Sequence, residues 1–314
     1  MYINAAYHYL PDKIIPNSYY TDLIDLTDDW IYKRSGIRTR TKAGIDENTN
    51  TMSIDAVKSG IDRLPYDLKE VDLIVGATYT PYDTVATNAH AVQNHFAISR
   101  AKALSISSAC SSFINAVEVV EGYFAINKSR RALVVASEHN TAYSDDMDKQ
   151  SGYLWGDGAG AILISKEKIS EEDIEILDLN TTGLADVGKG LDGVYLRPND
   201  GGLQMPYGKD IFVHACKHMA SEVENILKKN NFTMKDIEHF IPHQANSRII
   251  SKVAETLGLK NGKLVMNIED NGNTGSASTV IAMSQNWNKF KKGELIVITV
   301  FGGGYSSGAM LLRK

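Results

Sequence analysis

Residues 103–113 read ALSISSACSSF, a short apolar segment that ends in small residues directly before a longer apolar segment of helical character. Small residues let the backbone turn sharply from strand to helix. The first turn of a helix leaves N–H groups unpaired with partial positive charge, which favours an anionic sulfur placed there. A free cysteine is more often a small buried apolar residue. The position of Cys110 nevertheless predicts a nucleophile that is reactive near neutral pH.

Two further motifs follow apolar segments far downstream. Residues 242–248 read PHQANSR, and residues 271–278 read NGNTGSAS. A Cys, a His and an Asn in such positions suit acyl-thioester chemistry, in which Cys110 attacks a thioester carbonyl and holds the acyl group. The side chains of His243 and Asn273 would then donate hydrogen bonds to a developing oxyanion.

The apolar segments are repeated along the chain. The segments at 71–78, just before Cys110 and at 131–138 correspond to 237–244, 264–267 and 294–301, offset by about 165 residues, as in a duplicated domain. Apolar strands that alternate with helical segments predict mostly parallel sheets covered on both faces. We therefore predict an α/β fold of two duplicated halves, 1–168 and 169–314, packed through central helices as five layers, α-β-α-β-α.

The helical segments of this pattern lie at 86–96, 112–127, 211–230 and 246–257. The stretch 181–209 is rich in glycine, so we expect it to be irregular. We also expect it to border the entrance of the active site.

The composition excludes several classes of protein. The chain has 314 residues, 43% of them apolar, which is enough for a substantial core. Its net charge of −5 does not indicate the basic surface that binds nucleic acid. Its two cysteines, Cys110 and Cys216, form no disulfide framework. No run of about 20 apolar residues and no basic segment before an apolar N-terminal run occurs. We expect a cytoplasmic protein with no nucleic-acid or membrane partner.

Taken together, the motifs resemble the β-ketoacyl-acyl carrier protein synthase III family, condensing enzymes with a thiolase-like fold. The resemblance runs from end to end and is carried by DDWI at 28–31, RSGIR at 34–38, the Cys110 segment, WGDGAGA at 155–161, PHQAN at 242–246, GNT at 272–274 and FGGGY at 301–305. It implies that Cys110 is loaded from acyl-CoA and that the acyl group condenses with malonyl-acyl carrier protein after loss of CO2. The product is a β-ketoacyl thioester that initiates fatty-acid synthesis, and the family expectation is a homodimer.

The resemblance also implies roles for further residues. The backbone N–H of Gly303, with that of Cys110, would form an oxyanion hole, and Phe301 would lie beside the malonyl carboxylate. Coenzyme A, a substrate and not a resident cofactor, would contact Trp30, Arg34, Lys149 and Asn246. The carrier protein would contact Gln244, Ala245, Asn246, Ser247 and Arg248.

This chain departs from the family pattern at several of these places. Lys149 stands where the family has an Arg that stacks on adenine, and lysine lacks the planar surface of guanidinium. Glu255 and Thr256 replace commonly basic positions, with Lys252 one turn earlier as a substitute. Val85 replaces a Phe that closes the acyl pocket across the dimer, which predicts room for a longer or branched starter.

Two alternative functions remain open beside the leading one. The chain could serve a secondary-metabolite or polyketide pathway, condensing an unusual starter or transferring the acyl group to oxygen or nitrogen. Retention of both His243 and Asn273 favours condensation, because simple transfer does not need both donors. An inactive partner subunit is disfavoured by the retained Cys110.

Other motifs suggest cofactors that we do not expect. Residues 156–160 and 302–304 are glycine-rich, but apolar strands follow them, where a dinucleotide or phosphate site would need a helix. His214, Cys216 and His218 have metal-ligand spacing on one helix, without a second cluster to complete a zinc site. We therefore expect no metal and no permanently bound cofactor.

Overall fold

The computed structural model describes the backbone of residues 1–314 and the side chains of all of them except Asn261. The strands are β1 Tyr2–Tyr9, β2 Ile14–Pro16, β3 Thr39–Thr41, β4 Leu73–Ala77, β5 Lys102–Ile106, β6 Arg131–Glu138, β7 Gly158–Ser165, β8 Ile174–Gly183, β9 Tyr195–Arg197, β10 Gly202–Gln204, β11 Ile237–Pro242, β12 Leu295–Gly302 and β13 Ser306–Arg313. The α-helices are α1 Asn17–Ile24, α2 Asp28–Ser35, α3 Thr49–Lys58, α4 Asn88–His95, α5 Ser112–Ala125, α6 Gly208–Lys229, α7 Ser247–Thr256, α8 Ile268–Asn271 and α9 Ser278–Asn286. Short 3-10 turns occur at Ile61–Arg63, Leu68–Glu70, Asn140–Ala142, Gly152–Leu154, Gly190–Asp192, Met234–Asp236, Asn261–Lys263, Gly275–Ala277 and Trp287–Lys289.

The main sheet carries the same pairing pattern twice, in the order β11-β12-β13-β8-β1-β7-β6-β4-β5. In the first half, β4 and β6 are parallel, β6 and β7 antiparallel, and β7 and β1 antiparallel. In the second half, β11 and β12 are parallel, β12 and β13 antiparallel, and β13 and β8 antiparallel. The halves join where Tyr2 and Ile3 of β1 pair with Glu175 and Ile174 of β8. The predicted duplication is confirmed.

Helices cover the sheet halves in the predicted five layers. The central layer is α5, which contacts β4, β6, β8 and β13, together with α9, which contacts β1, β7 and β11. The outer helices α3 and α4 pack on the first half, whereas α6 packs on the second half and α7 packs on α6. Because the sheets are apolar on both faces, each layer buries its neighbours. The prediction of mostly parallel sheets is wrong, because only β4–β5, β4–β6 and β11–β12 pair in parallel, whereas the five other pairings of the main sheet are antiparallel. Burial on both faces makes antiparallel strands as continuously apolar as parallel ones, so the apolar pattern alone does not distinguish them.

The two halves share one continuous hydrophobic core. Val134 and Ile162 of the first half belong to the same buried cluster as Ile298 and Met310 of the second, with Val117 of α5 between them. The proposed boundary between 168 and 169 falls in the link from β7 to β8. The boundary remains a prediction, and it does not separate two independent cores, because this buried cluster contains residues from both sides of it. None of the helices in the described chain is both long and apolar enough to cross a membrane.

One predicted strand is wrong. Residues 264–267 form only an isolated parallel bridge, in which Leu264 pairs with Phe240 and the N–H of Val265 donates to the carbonyl of Phe240 at 2.9 Å. The segment is enclosed between the turn Asn261–Lys263 and α8, which leaves too few extended residues for a ladder.

The other segment predictions differ from the structure only at their ends. The four predicted helices correspond to α4, α5, α6 and α7, with ends shifted by at most three residues. The glycine-rich stretch 181–209 is less irregular than predicted, because β8 continues to Gly183 and β9 pairs with β10 in a small hairpin.

Candidate active site

Cys110 lies on a strained turn between β5 and α5. Ala109 has a φ of 48°, a left-handed conformation that costs a non-glycine residue conformational energy and is most often found at functional sites. The turn is held by the N–H of Ser108, which donates to Ser112 Oγ at 2.7 Å. A Cβ on Gly302 would lie 2.9 Å from the Cys110 nitrogen, so glycine is required there. The predicted elbow is therefore present, with the Gly302 turn packed directly upon it.

Two backbone N–H groups and a phenol surround the sulfur of Cys110. The N–H groups of Cys110 and Gly303 and the hydroxyl of Tyr79 lie beside the sulfur, and each of them lowers the pKa of Cys110. The proton of the Tyr79 hydroxyl is itself donated to Asn140 Oδ1. Burial and the nearby carboxylate of Glu138 outweigh these three groups and raise the pKa of Cys110 to about 12. The expectation of a thiolate near neutral pH is thus wrong for the substrate-free site, because the loss of solvent exceeds the effect of the helix terminus.

Glu138 is buried at the end of β6 among hydrogen-bond donors. Its carboxylate accepts from Thr78 Oγ1 at 3.0 Å, from the N–H of Thr80 at 3.1 Å, and from the hydroxyls of Thr80 and Ser276. Burial raises the pKa of Glu138 to about 7 even though these bonds act in the opposite direction. The thiol and this carboxylate are therefore two acidic groups in one dry region, where charge on one disfavours charge on the other.

His243 follows β11 directly and is buried. Its backbone N–H donates to the Thr299 carbonyl at 2.8 Å, and its ring Nδ1 lies 2.8 Å from Ser278 Oγ. The N–H of Gln244 points at the same oxygen at 3.4 Å, so the Ser278 hydroxyl is assigned as donor to Nδ1 and the ring proton to Nε2. Burial lowers the pKa of His243 to about 4, which keeps the ring neutral at physiological pH.

Asn273 is held by the WGDG segment of the first half. Its backbone N–H donates to the Leu154 carbonyl at 2.9 Å, and its carbonyl accepts from Gly156 at 3.0 Å. A Cβ on Gly156 would lie 2.0 Å from the Asn271 carbonyl oxygen, which explains the glycine. The side-chain Oδ1 of Asn273 accepts from the N–H of Gly275 at 3.0 Å, leaving the amide group as a donor. The glycine-rich motif therefore holds the backbone of Asn273 in place.

These groups meet in one cavity of about 570 Å³. The partly buried Cys110 and the buried residues His243, Asn273 and Phe301 line it, and exposed residues that line it include Arg34, Lys209 and Arg248. Val194, Met205 and Pro206 of the glycine-rich stretch also line it, as predicted. The cavity thus leads from a cationic surface to the sulfur. It can admit an anionic substrate and stabilise an oxyanion beside the thiol.

The residues predicted to bind coenzyme A are only partly together. Arg34 and Asn246 line the cavity, and the Asn246 amide donates to the Arg34 carbonyl at 3.0 Å. Trp30 is 38% exposed, and its ring centroid lies 5.0 Å from the guanidinium carbon of Arg34. An arginine of this chain, Arg34, therefore lies over the Trp30 ring. Lys149 is exposed, and the neighbouring Gln150 lines the cavity in its place.

The residues predicted to contact a carrier protein have different surroundings. Gln244 is wrong as such a contact, because its fully buried side chain donates to the Pro242 carbonyl at 2.7 Å and accepts from the N–H of Asn267. Ala245, Asn246 and Arg248 line the cavity. Ser247 packs against Gly36, where a Cβ would lie 2.2 Å from the Ser247 hydroxyl.

Val85 lies outside the cavity lining of its own chain and is 83% exposed. Its N–H donates to Asp83 Oδ1 at 2.7 Å, which closes a turn before α4.

Phe301 is buried at the cavity wall, with its ring centroid 4.9 Å from that of Tyr305. His214 and His218 stack at 5.9 Å, and among the described side chains no group of three or more ligands is placed to hold a metal.

Sequence reasoning did not identify four residues of this site, namely Tyr79, Glu138, Lys209 and Ser278. Two of them had a signal. Glu138 is an acidic residue at the end of an otherwise apolar strand, and Ser278 closes the motif that contains Asn273. Tyr79 and Lys209 stand in loops with no distinguishing pattern.

Comparison with known proteins places the chain among relatives along its whole length. Residues 104–183 match the family described as 3-oxoacyl-[acyl-carrier-protein (ACP)] synthase III, and residues 227–314 match its C-terminal part. The chain is 32% identical to the β-ketoacyl-[acyl-carrier-protein] synthase III of Rickettsia bellii, over 97% of this chain and 96% of that protein.

Solved structures agree with this placement. The 3-oxoacyl-[acyl-carrier-protein] synthase III of Aquifex aeolicus superposes with a TM-score of 0.93 at 31% identity, covering 100% of this chain and 99% of that one. The priming β-ketosynthase of the R1128 polyketide pathway gives a TM-score of 0.89 at 28% identity, covering 99% and 95%.

A duplicated five-layer fold in which a Cys, a His and an Asn line one cavity defines a condensing enzyme of the thiolase-like class. Such an enzyme is of the acyltransferase type and acts in fatty-acid biosynthesis. The chain belongs to the β-ketoacyl-[acyl-carrier-protein] synthase III family, and the family and fold predicted from the motifs are confirmed.

Proposed function

We propose that Cys110 first takes an acyl group from acyl-CoA. The thiol loses its proton, its sulfur attacks the thioester carbonyl, and the tetrahedral oxyanion is held by the N–H groups of Cys110 and Gly303. The carbon–sulfur bond to coenzyme A then breaks, and coenzyme A leaves as its thiol. The observation that carries the proposal is that Cys110 and Gly303 line the same cavity as His243 and Asn273, with Gly302 packed directly on the backbone nitrogen of Cys110. Donors aimed at one point are the requirement for stabilising an oxyanion.

The second step is a decarboxylative Claisen condensation with malonyl-acyl carrier protein. Malonyl loses CO2, and the electron pair passes into an enolate whose oxygen accepts hydrogen bonds from His243 Nε2 and the Asn273 amide. A neutral His243 suits this role, because its Nε2–H donates a hydrogen bond that stabilises the enolate oxygen without transferring the proton to it. The enolate carbon attacks the acyl-cysteine, Cys110 leaves, and a β-ketoacyl thioester initiates fatty-acid synthesis. The apolar ring of Phe301 solvates the malonyl carboxylate poorly, which favours loss of CO2.

The charge along the cavity supports phosphate-bearing substrates. Arg34, Lys209 and Arg248 are exposed cations on its lining, and both coenzyme A and the carrier-protein arm carry phosphate. Arg248 also remains the best candidate for contact with the carrier protein. A homodimer is proposed as well, since Tyr82 and Val85 of one loop are 67% and 83% exposed.

The test is intact-mass spectrometry after incubation with acetyl-CoA. The wild type and Cys216→Ala should each gain one acetyl group, and Cys110→Ala should gain none. Cys216 is the matched control, because it is the other cysteine of the chain. Acetylation of Cys110→Ala, or its loss in Cys216→Ala, would place the nucleophile elsewhere.

Adding malonyl-acyl carrier protein to the acetylated enzyme tests the second step. The expected product is acetoacetyl-acyl carrier protein, with one CO2 released for each product. An ester or amide product formed without CO2 release would instead support acyl transfer, the alternative function. The presence of both His243 and Asn273 on the cavity lining supports condensation over this alternative.

A further inference from the structure

Tyr79 lies directly against the nucleophile, in the loop that follows β4. Its hydroxyl is within hydrogen-bonding reach of the Cys110 sulfur and donates to Asn140 Oδ1 at 2.7 Å. Its backbone N–H points at the Glu138 carboxylate, 3.3 Å from Oε2. The phenol is therefore anchored at both its backbone and its hydroxyl.

The ring of Tyr79 is also packed against a glycine of the Asn273 turn. Gly275 has a φ of 57°, and a Cβ there would lie 2.5 Å from the Tyr79 hydroxyl oxygen and 2.9 Å from a ring carbon. The ring thus fills the space beside Gly275. Because the turn that contains Gly275 also holds Asn273, movement of the ring in this direction would disturb the site.

Tyr79 stands away from the route by which substrates arrive. In the described chain, the side chains that line the cavity come from other segments, and Tyr79 is not among them. Under the proposed function, acyl-CoA and the malonyl donor use this cavity in turn. The acyl chain on Cys110 must leave the cavity free for the second substrate, so it must extend from the sulfur toward another side.

We propose that Tyr79 is a specificity-determining residue that limits the length of the acyl group carried by Cys110. The proposal rests on the proposed function, because it presumes that Cys110 is acylated. An acetyl group adds one methyl beyond the carbonyl, whereas each further methylene competes with the ring for the same space. A buried methylene is worth about 0.8 kcal/mol, or roughly a fourfold change in selectivity, so a few carbons separate accepted from rejected starters.

The experiment measures loading of Cys110 by acetyl-, butyryl-, hexanoyl- and octanoyl-CoA, by intact mass and initial rate. The wild type should load acetyl at least tenfold faster than hexanoyl. Tyr79→Ala should lower the acetyl-to-hexanoyl ratio of loading rates by at least tenfold, to equal loading or to a preference for hexanoyl. Tyr79→Phe, which keeps the ring, should retain the wild-type ratio even if its overall rate changes. Tyr79→Thr is the second opened variant should Tyr79→Ala fold poorly, and thermal unfolding checks all of them.

Tyr82→Ala is the matched control, because Tyr82 is an exposed tyrosine of the same loop, and its chain-length ratio should equal that of the wild type. A wild type that loads octanoyl as fast as acetyl would overturn this inference but not the proposed function. So would folded Tyr79→Ala and Tyr79→Thr with the wild-type ratio. If no acyl-CoA labels wild-type Cys110, the proposed function fails and this inference fails with it.

Discussion

Ser278 Oγ donates a hydrogen bond to His243 Nδ1 at 2.8 Å, and this bond directs the proton of the ring to Nε2, the nitrogen left free to act as a donor. The serine begins α9, whereas the histidine follows β11, so the bond connects two separate elements. Without it, a buried neutral imidazole has two tautomers, and only one of them can donate from Nε2.

Ser278→Ala should therefore slow malonyl decarboxylation while acylation of Cys110 is unchanged. We expect a loss of about tenfold, below the roughly 100-fold loss for removal of an oxyanion donor, since a fraction of the rings still carries the proton on Nε2. The measurement is CO2 release from malonyl-acyl carrier protein by the acylated enzyme. Ser284→Ala is the control, because Ser284 lies on the same helix and makes a comparable bond to His8 Nδ1. Equal effects of the two variants would contradict the assignment.

Removing the enolate donors should separate the two half-reactions. His243→Ala and Asn273→Ala should each retain acetylation of Cys110 and lose decarboxylation by about 100-fold or more, the scale for one preorganised donor. Both steps are followed on the same preparation, by intact mass and by CO2 release. A variant that cannot be acetylated yet decarboxylates normally would reverse the assigned roles.

The pH dependence of Cys110 alkylation should show a strongly raised pKa. Because the pKa of Cys110 lies near 12, above any assay pH, its thiolate fraction and its rate with iodoacetamide should rise about tenfold per pH unit from pH 7 to 9, without a plateau. A plateau below pH 8 would show that the thiol is not held neutral. The measurement uses Cys216→Ala, so that only one thiol reacts.

Glu138→Gln should speed this alkylation. The carboxylate of Glu138 raises the pKa of Cys110, so loss of its charge lowers that pKa and increases the thiolate fraction at a given pH. We expect the alkylation rate at pH 8 to rise by about threefold or more. Glu118→Gln is the control, because Glu118 lies on α5 and bonds to Thr181. An unchanged rate in a folded Glu138→Gln protein would exclude this electrostatic coupling.

Val85→Phe should have little effect while Tyr79 is present. Val85 is exposed on its own chain and could reach an acyl group only across a dimer, whereas Tyr79 contacts the sulfur directly. We expect less than a twofold change in the acetyl-to-hexanoyl loading ratio of the single variant. In a Tyr79→Ala background, Val85→Phe should cost the longer starter several-fold, about the value of one or two buried methylenes. A large effect in the single variant would make Val85 the determinant of starter length.

The sequence by itself determined the features that depend on neighbouring residues. The duplication, the positions of most strands and the Cys110 turn follow from apolar periodicity and small residues within a few positions of one another. The motifs around His243 and Asn273 likewise indicated where secondary-structure elements end, and those ends lie on the same side of the sheets. These features could be predicted because local backbone preferences act over a few residues.

Tertiary structure decided what depends on distant partners. The pKa of Cys110 is set by burial and by Glu138, so the local signal of a helix terminus gave the wrong protonation state. Gln244 is buried although its motif suggested a contact surface, and residues 264–267 make only one isolated bridge because the elements on either side leave too few extended residues for a ladder. Tyr79 touches the nucleophile only because β4 and β5 are adjacent strands whose ends lie at the same edge of the sheet. Desolvation and hydrogen bonding are properties of the packed neighbourhood, and that neighbourhood comes from segments far apart along the chain.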